Sequence, residues 1–207
     1  MRRTADLRKQ QIISEATRLF SSRGYDKVTT KDLASSCGVS EPALYRYFPS
    51  KEAIYEVVLN SLESRLQVKD LFDRLENEQD VEKLLFDLAS HIFDFFRTNQ
   101  DVYRLMLYST LGGHAKAKRI YRAVRGTYVD FLIRQLDRFA AAGQILPKNN
   151  VITARCFVGM VFECALSSTL WKGFLGKRFN TADIVSNNIP IFARGLRKDT
   201  PVAEGAK

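Results

Sequence analysis

Apolar residues return at helical spacing through most of the chain. Ile12, Ile13, Ala16, Leu19 and Phe20 form the first stripe and predict a helix over 5–23, stopped by Gly24. Two short segments follow. Leu33 and Ala34 supply the apolar side of one; Leu44 and Phe48, four apart, supply that of the next. Thr29 and Asp32 have the spacing of a capping box, with Asp in the usual Glu position. Cys37-Gly38 ends the first short helix, because glycine accepts the left-handed backbone such a stop requires. Val39 turns back toward the core, and Ser40 is an N-cap. Pro42 then falls in a first helical turn, where its missing N–H does no harm. Residues 29–48, TTKDLASSCGVSEPALYRYF, therefore read as two short helices around a tight turn, the outline of a helix-turn-helix. Ser50 caps a further helix, with Glu52 in its first turn.

Beyond Phe48 the pattern stays helical, with no strand alternation. The spacing predicts helices over 53–71, from 81 to 97, over 101–109, 115–142, 151–174 and 181–196. Leu84, Leu85, Leu88, His91, Ile92 and Phe95 mark the inner side of the second of these. Gly112-Gly113, Gly143 and Pro147 punctuate the connections, Thr181 is placed to cap the last helix, and Pro190 to kink it. The segment 151–174 is apolar on nearly every side, so it needs cover on all sides, from its own domain and from a second subunit. The fold class is all-α.

Composition narrows the function. The chain has 207 residues, 45% hydrophobic and 27% charged, the profile of a soluble globular protein. A formal net charge of +9 favours a polyanionic partner without choosing between nucleic acid and a membrane surface. The opening MRRTADLRKQQ lacks the apolar run of a signal peptide. The apolar stretch 156–171 is interrupted by Glu163, Ser167 and Ser168 and is too short and polar to span a bilayer. A cytoplasmic protein with no membrane partner is expected. Cys37, Cys156 and Cys164 lack metal-ligand spacing and read as small buried hydrophobes. His91 and His114 are isolated, so neither a metal nor a cofactor is expected. No Gly-rich phosphate loop, paired metal ligands or nucleophile motif is present, which argues against an enzyme.

Four pieces of the N-terminal region carry a specific resemblance. They are ATRLFSSRGY (16–25), TTKDLA (29–34), GVS (38–40) and above all LYRYFPSKEAI (44–54). Residues 13–59 resemble the DNA-binding region of the TetR family of transcriptional regulators. The resemblance implies a DNA-binding domain over 1–50, a helical effector-binding and dimerisation domain over 51–197, and a flexible tail over 198–207. It also implies a homodimer formed through about 151–196, a pseudo-palindromic operator, and a small, largely apolar effector that releases a repressor from DNA. A helical interaction protein without specific DNA binding is the alternative.

Carrying the family pattern over by position makes Thr30, Lys31, Ser40, Pro42, Ala43, Tyr45, Arg46, Tyr47 and Lys51 the candidate DNA contacts. Arg46 is placed to bridge guanine O6 and N7, and Lys51 to clamp a phosphate. Glu41 either accepts from a cytosine amine or favours the helix N-terminus. Arg2, Arg3, Arg8 and Lys9 form either a backbone-binding arm or a solvated basic tail. For the effector pocket the candidates are Phe93, Tyr103, Met106, Leu107, Tyr128, Phe131, Phe162 and Glu163, the last set to orient a polar ligand group or to form a salt bridge.

Overall fold

The structure, a computed structural model, describes residues 2–66, 68–113, 115–171 and 180–198. His114, the 172–179 segment with Gly173, Gly176, Lys177 and Arg178, and the tail from 199 lie outside the described residues, as do the side chains of Arg2 and Arg3. The elements are α1 (Arg2–Arg23), α2 (Thr30–Ser36), α3 (Glu41–Tyr45), α4 (Lys51–Arg65), α5 (Val68–Leu75) and α6 (Val81–Thr98). Then come α7 (Gln100–Leu111), α8 (Ala117–Tyr121), a π-turn (Arg122–Gly126), α9 (Thr127–Ala141), α10 (Asn150–Thr169) and α11 (Thr181–Leu196). Every named element is helical, as the periodicity predicts.

The chain forms two compact units, one from 1–67 with 99–124 and the other from 68–98 with 125–207. In the first, α1 packs on α2, α4 and α7, and α7 on α8. Ile12, Ala16, Leu19 and Phe20 bury the inner stripe of α1, while Ile13 is half-buried. A bond of 2.6 Å between the Tyr55 and Ser109 hydroxyls fastens α4 to α7 in this core, and Arg65 holds both oxygens of Asp101 at 2.7 and 2.8 Å. As packing units, therefore, the chain does not divide at residue 50: α4, α7 and α8 belong with α1–α3.

In the second unit α6 packs on α5, α10 and α11, and α10 on α9 and α11. Leu84, Leu85, Leu88 and Ile92 are fully buried, as their spacing predicts, and His91 is half-buried. Aromatic rings fill the centre: Phe72 stacks on Phe131 at 4.1 Å, and Phe162 meets Phe96 edge-on at 5.1 Å. By length and composition alone α10, which starts six residues before the 156–171 stretch, would be long and apolar enough to cross a membrane. Its inner residues Phe157, Val158, Val161 and Phe162 are nonetheless packed inside this unit.

Two predicted helices are divided, the 151–174 helix ends at Thr169, and the last keeps its bounds under a different cap. The 53–71 helix breaks after Arg65, where the Leu66 N–H folds back on the Glu63 carbonyl at 3.3 Å. No glycine or proline marks the break, so apolar spacing runs straight through it. The 115–142 helix is interrupted by the π-turn, whose wider loop inserts one residue. Ile120, Val124 and Tyr128 are all buried across it, and in sequence they read as one stripe. The last helix is capped by Asn180, whose side chain accepts from Asp183 N, and not by Thr181, which is its first residue. Of the cysteines, Cys37 is buried as expected; Cys156 is exposed on the outer side of α10, and Cys164 is only half-buried, beside Phe93 and Ile189.

Candidate nucleic-acid interface

The α2–turn–α3 segment is held from within by short-range bonds. Asp32 N donates to the Thr29 hydroxyl at 3.1 Å, and Thr29 N donates to the Asp32 carboxylate at 2.9 Å, which closes the capping box. The Thr29 N–H holds the Asp32 carboxyl below the usual carboxylate range. At the other end Gly38 takes φ +65°, so that Gly38 N reaches Ser35 O at 3.1 Å and Val39 N reaches Ala34 O at 3.0 Å. That is the paired bonding of a Schellman stop, and it sets the angle at which the chain leaves α2. Ser40 then accepts from Ala43 N at 3.3 Å to start α3.

The second helix is short. It ends at Tyr45, and the N–H groups of Tyr47 and Phe48 both return to Leu44 O, at 2.9 and 3.1 Å. This turn keeps Phe48 on the inner side, and Leu33, Leu44 and Phe48 are all buried. Lys31, Ser40, Pro42, Tyr45 and Arg46 are exposed; Thr30, Ala43 and Tyr47 are half-buried. Tyr45 keeps 46% of its surface open to solvent although it is a large aromatic residue. Sequence spacing thus separates the packed face of α3 from the presented one.

Two residues are used differently from the sequence expectation. The Thr30 hydroxyl donates to Glu41 Oε2 at 2.7 Å and ties the start of α2 to the start of α3. Glu41 is engaged there, inside the motif. Lys51 is half-buried, and its Nζ donates to the carbonyls of Tyr25 and Val28, each at 3.0 Å, while lying 4.0 Å from the centre of the Tyr25 ring. The ammonium therefore closes the loop before α2 onto the N-terminus of α4, which leaves one N–H for any phosphate. The Tyr25 hydroxyl in turn donates to Glu52 at 2.6 Å, and burial, then that carboxylate, push its pKa up.

Arg8 and Lys9 lie within α1, not in an extended arm. Arg8 donates to Gln11 at 2.8 Å and reaches Cys37 O at 3.4 Å, and the Lys9 ammonium lies 5.3 Å from the Phe48 ring centre. Sequence reasoning missed a polar ladder along α4. Lys116 bridges Glu52 (3.0 Å) and Glu56, and Arg119 bridges Glu56 and Glu63 (2.7 Å). Glutamates at 52, 56 and 63 share one side of α4, and that spacing was the available signal.

The expected effector residues fall into separate groups. Tyr103 and Met106 are buried, and Leu107 half-buried, within the first unit. Phe93, Tyr128, Phe131 and Phe162 are buried within the second. There His91 Nδ1 and the Tyr128 hydroxyl are bonded at 3.1 Å, and burial lowers the histidine pKa. The Arg125 guanidinium lies 5.5 Å from the Phe162 ring centre. Glu163 does not join them: it is exposed and accepts from Ser167 at 3.3 Å, because its position on α10 faces away from the core. A cleft of about 10 Å³ beside Phe93, Met160 and Cys164 has room for no more than a water. An open groove of about 640 Å³ in the first unit, along Gln10, Ser14, Thr17, Arg18 and Arg65, contains none of the expected effector residues.

Comparison with known proteins bears on this segment and on the whole chain. The family model described as "Bacterial regulatory proteins, tetR family" matches residues 12–58. The nucleoid occlusion factor SlmA of Haemophilus influenzae is 37% identical over 115 residues, 55% of this chain and 50% of that protein. The chain thus spans about half the length of that relative. The protein of the same name from Aliivibrio fischeri is 30% identical over 166 residues, 74% of this chain and 80% of its own length. Among solved structures, AibR in complex with isovaleryl coenzyme A and operator DNA is similar at TM-score 0.64, with 22% identity over 89% of this chain and 97% of its own. The fatty acid degradation regulator FadR from Bacillus halodurans is similar at TM-score 0.69, with 17% identity over 92% of this chain and 96% of its own.

Proposed function

The chain belongs to the TetR family of bacterial regulatory proteins, and from that premise we propose that it is a ligand-responsive repressor that binds operator DNA as a homodimer. The observation that carries the reading is the division of labour in α2–α3. Leu33, Leu44 and Phe48 are spent on the core, while Lys31, Ser40, Pro42, Tyr45 and Arg46 stand open to solvent on a rigidly capped turn. A helix presented in this way enters a major groove, where base edges are read by its side chains and phosphates by its flanks. Arg46 is the base reader, bidentate to a guanine; Lys31 and Tyr45 meet the backbone. In a twofold dimer the two copies of α3 address half-sites about 34–36 Å apart.

The dimer is formed through α10 and α11, where Val151 (48% exposed), Ile152 (59%) and Ile191 (66%) are uncovered in the single chain. The effector is a small, largely apolar molecule held in the second unit beside Tyr128, Phe131 and Phe162, with the His91–Tyr128 pair as its polar partner. These side chains are closely packed, so the ligand selects an opened conformation, and the shift in population releases the DNA. That AibR has been solved with both isovaleryl coenzyme A and operator DNA supports a reading in which this fold serves both ligands.

The test starts by selecting bound fragments from random duplex DNA, then measures Arg46→Ala on single-base variants of the selected site. The expected loss is about 1–3 kcal/mol at one base pair, with relaxed preference there. Equal loss on every variant would remove the reading role, and failure to select any sequence would favour an interaction protein without specific DNA binding.

A further inference from the structure

α10 carries two charged residues in twenty, Arg155 and Glu163. Both are exposed on the outer side of a helix whose inner side is buried, and exposed Ile152 and Cys156 lie beside Arg155 there. Among the described residues neither forms an ion pair; Glu163 has only the Ser167 hydroxyl at 3.3 Å. They cannot pair with each other comfortably, since eight residues of helix separate them by about 12 Å. Two exposed charges of opposite sign on the outer face of an apolar helix call for partners from outside the chain.

Their positions say what that partner is. Arg155, Gly159 and Glu163 are successive members of one i, i+4 ridge, so the two charges stand four residues, about 6 Å, to either side of Gly159. A twofold axis that crosses the ridge at Gly159 reverses the helix direction and sets Arg155 of each chain opposite Glu163 of the other. Interdigitation of i±4 ridges, the commonest helix-packing class, lays two such ridges parallel and side by side, within reach of the long Arg and Glu side chains. Gly159 puts no side chain of its own at the crossing. Its space is taken by the Arg125 guanidinium of the same chain, which lies 2.8 Å from where a Cβ would stand.

We propose that two symmetry-related Arg155–Glu163 pairs, one on each side of Gly159, set the register of an antiparallel contact between α10 and the α10 of a second copy of this chain. The inference rests on the homodimer reading and adds the residues that select the alignment. Like charges opposed in an interface disfavour it strongly, so each single reversal carries its own penalty twice.

Sedimentation analysis of the full chain over a concentration series tests it. The wild type sediments as a dimer. Arg155→Glu and Glu163→Arg each raise the dimer dissociation constant by about tenfold or more, and the double variant, with the charges exchanged, returns to within a few-fold of wild type. Circular dichroism of all three variants keeps the helical content of wild type, since both residues are exposed in the single chain. A wild type that is monomeric throughout would overturn the homodimer reading and this inference with it. A dimeric wild type whose dissociation is unmoved by the single reversals, or not recovered by the exchange, would overturn the pairing alone.

Discussion

Replacing Lys51 by Met separates two roles for one cation. The substitution keeps most of the apolar stem and removes the ammonium. In the structure that ammonium donates to two carbonyls at 3.0 Å and lies over the Tyr25 ring at 4.0 Å. Hydrogen bonds from a charged donor contribute about 1.5–3 kcal/mol each and the ring contact about 0.5–1 kcal/mol at an open site. Lys51 is only half-buried and water can replace part of what is lost, so the expected destabilisation is about 2 kcal/mol. For a chain of this length that is a fall in Tm of about 4–8 °C. Urea denaturation followed by circular dichroism measures it. If Lys51 instead neutralised a phosphate, stability would hold and the slope of log binding constant against log salt would shrink by about 0.9 per protomer. A variant with wild-type stability and a shallower salt slope would refute the structural role argued for this lysine.

Two further outcomes follow from the same kind of reasoning. Thr29→Ala removes the hydroxyl that caps α2 and lowers stability by about 1 kcal/mol in urea titrations at neutral pH. The Asp32 carboxyl is held below its ordinary value, so its contribution is present above about pH 4 and is lost as the pH falls through the depressed value. Because the backbone N–H of residue 29 survives the substitution, wild type and variant should both lose this contribution in acid and keep most of the difference between them. His91 is held neutral by burial, which lowers its pKa; the unfolded chain takes up the proton first, and stability falls as the pH drops below about 6.5. His91→Gln should flatten the urea midpoint between pH 7 and 5, and an unchanged slope would count against burial as the cause.

Local chemistry was the legible part of this chain. The capping box at Thr29, the glycine stop at Gly38 and the cap at Ser40 each act within a few residues, and the structure forms all three. What periodicity could not see were the changes of path between apolar turns. The break after Arg65 and the π-turn at Arg122–Gly126 leave the spacing of buried residues intact, so a stripe count reads through them. The role of Lys51 was hidden for a related reason. Its partners are backbone carbonyls more than twenty residues away, and carbonyls carry no sequence signal.

The candidate effector set shows the same limit at longer range. Apolar aromatic residues on helices identify a core but not which of them share it, and the structure assigns Tyr103 and Met106 to one unit and Tyr128, Phe131 and Phe162 to the other. Glu163 was noticed because a charge interrupts an apolar run. Only the packing of α10 on α6 and α9 decides that this charge faces outward.

By itself, then, the sequence determined the helices, the capped turn and the side chains that turn presents, because each depends on contacts within about one helical turn. The tertiary structure alone decided where helices bend, which aromatics meet, and which face of α10 is left for a partner. Those outcomes depend on burial against residues distant in the chain, and hydrophobic burial has no direction until the packing exists.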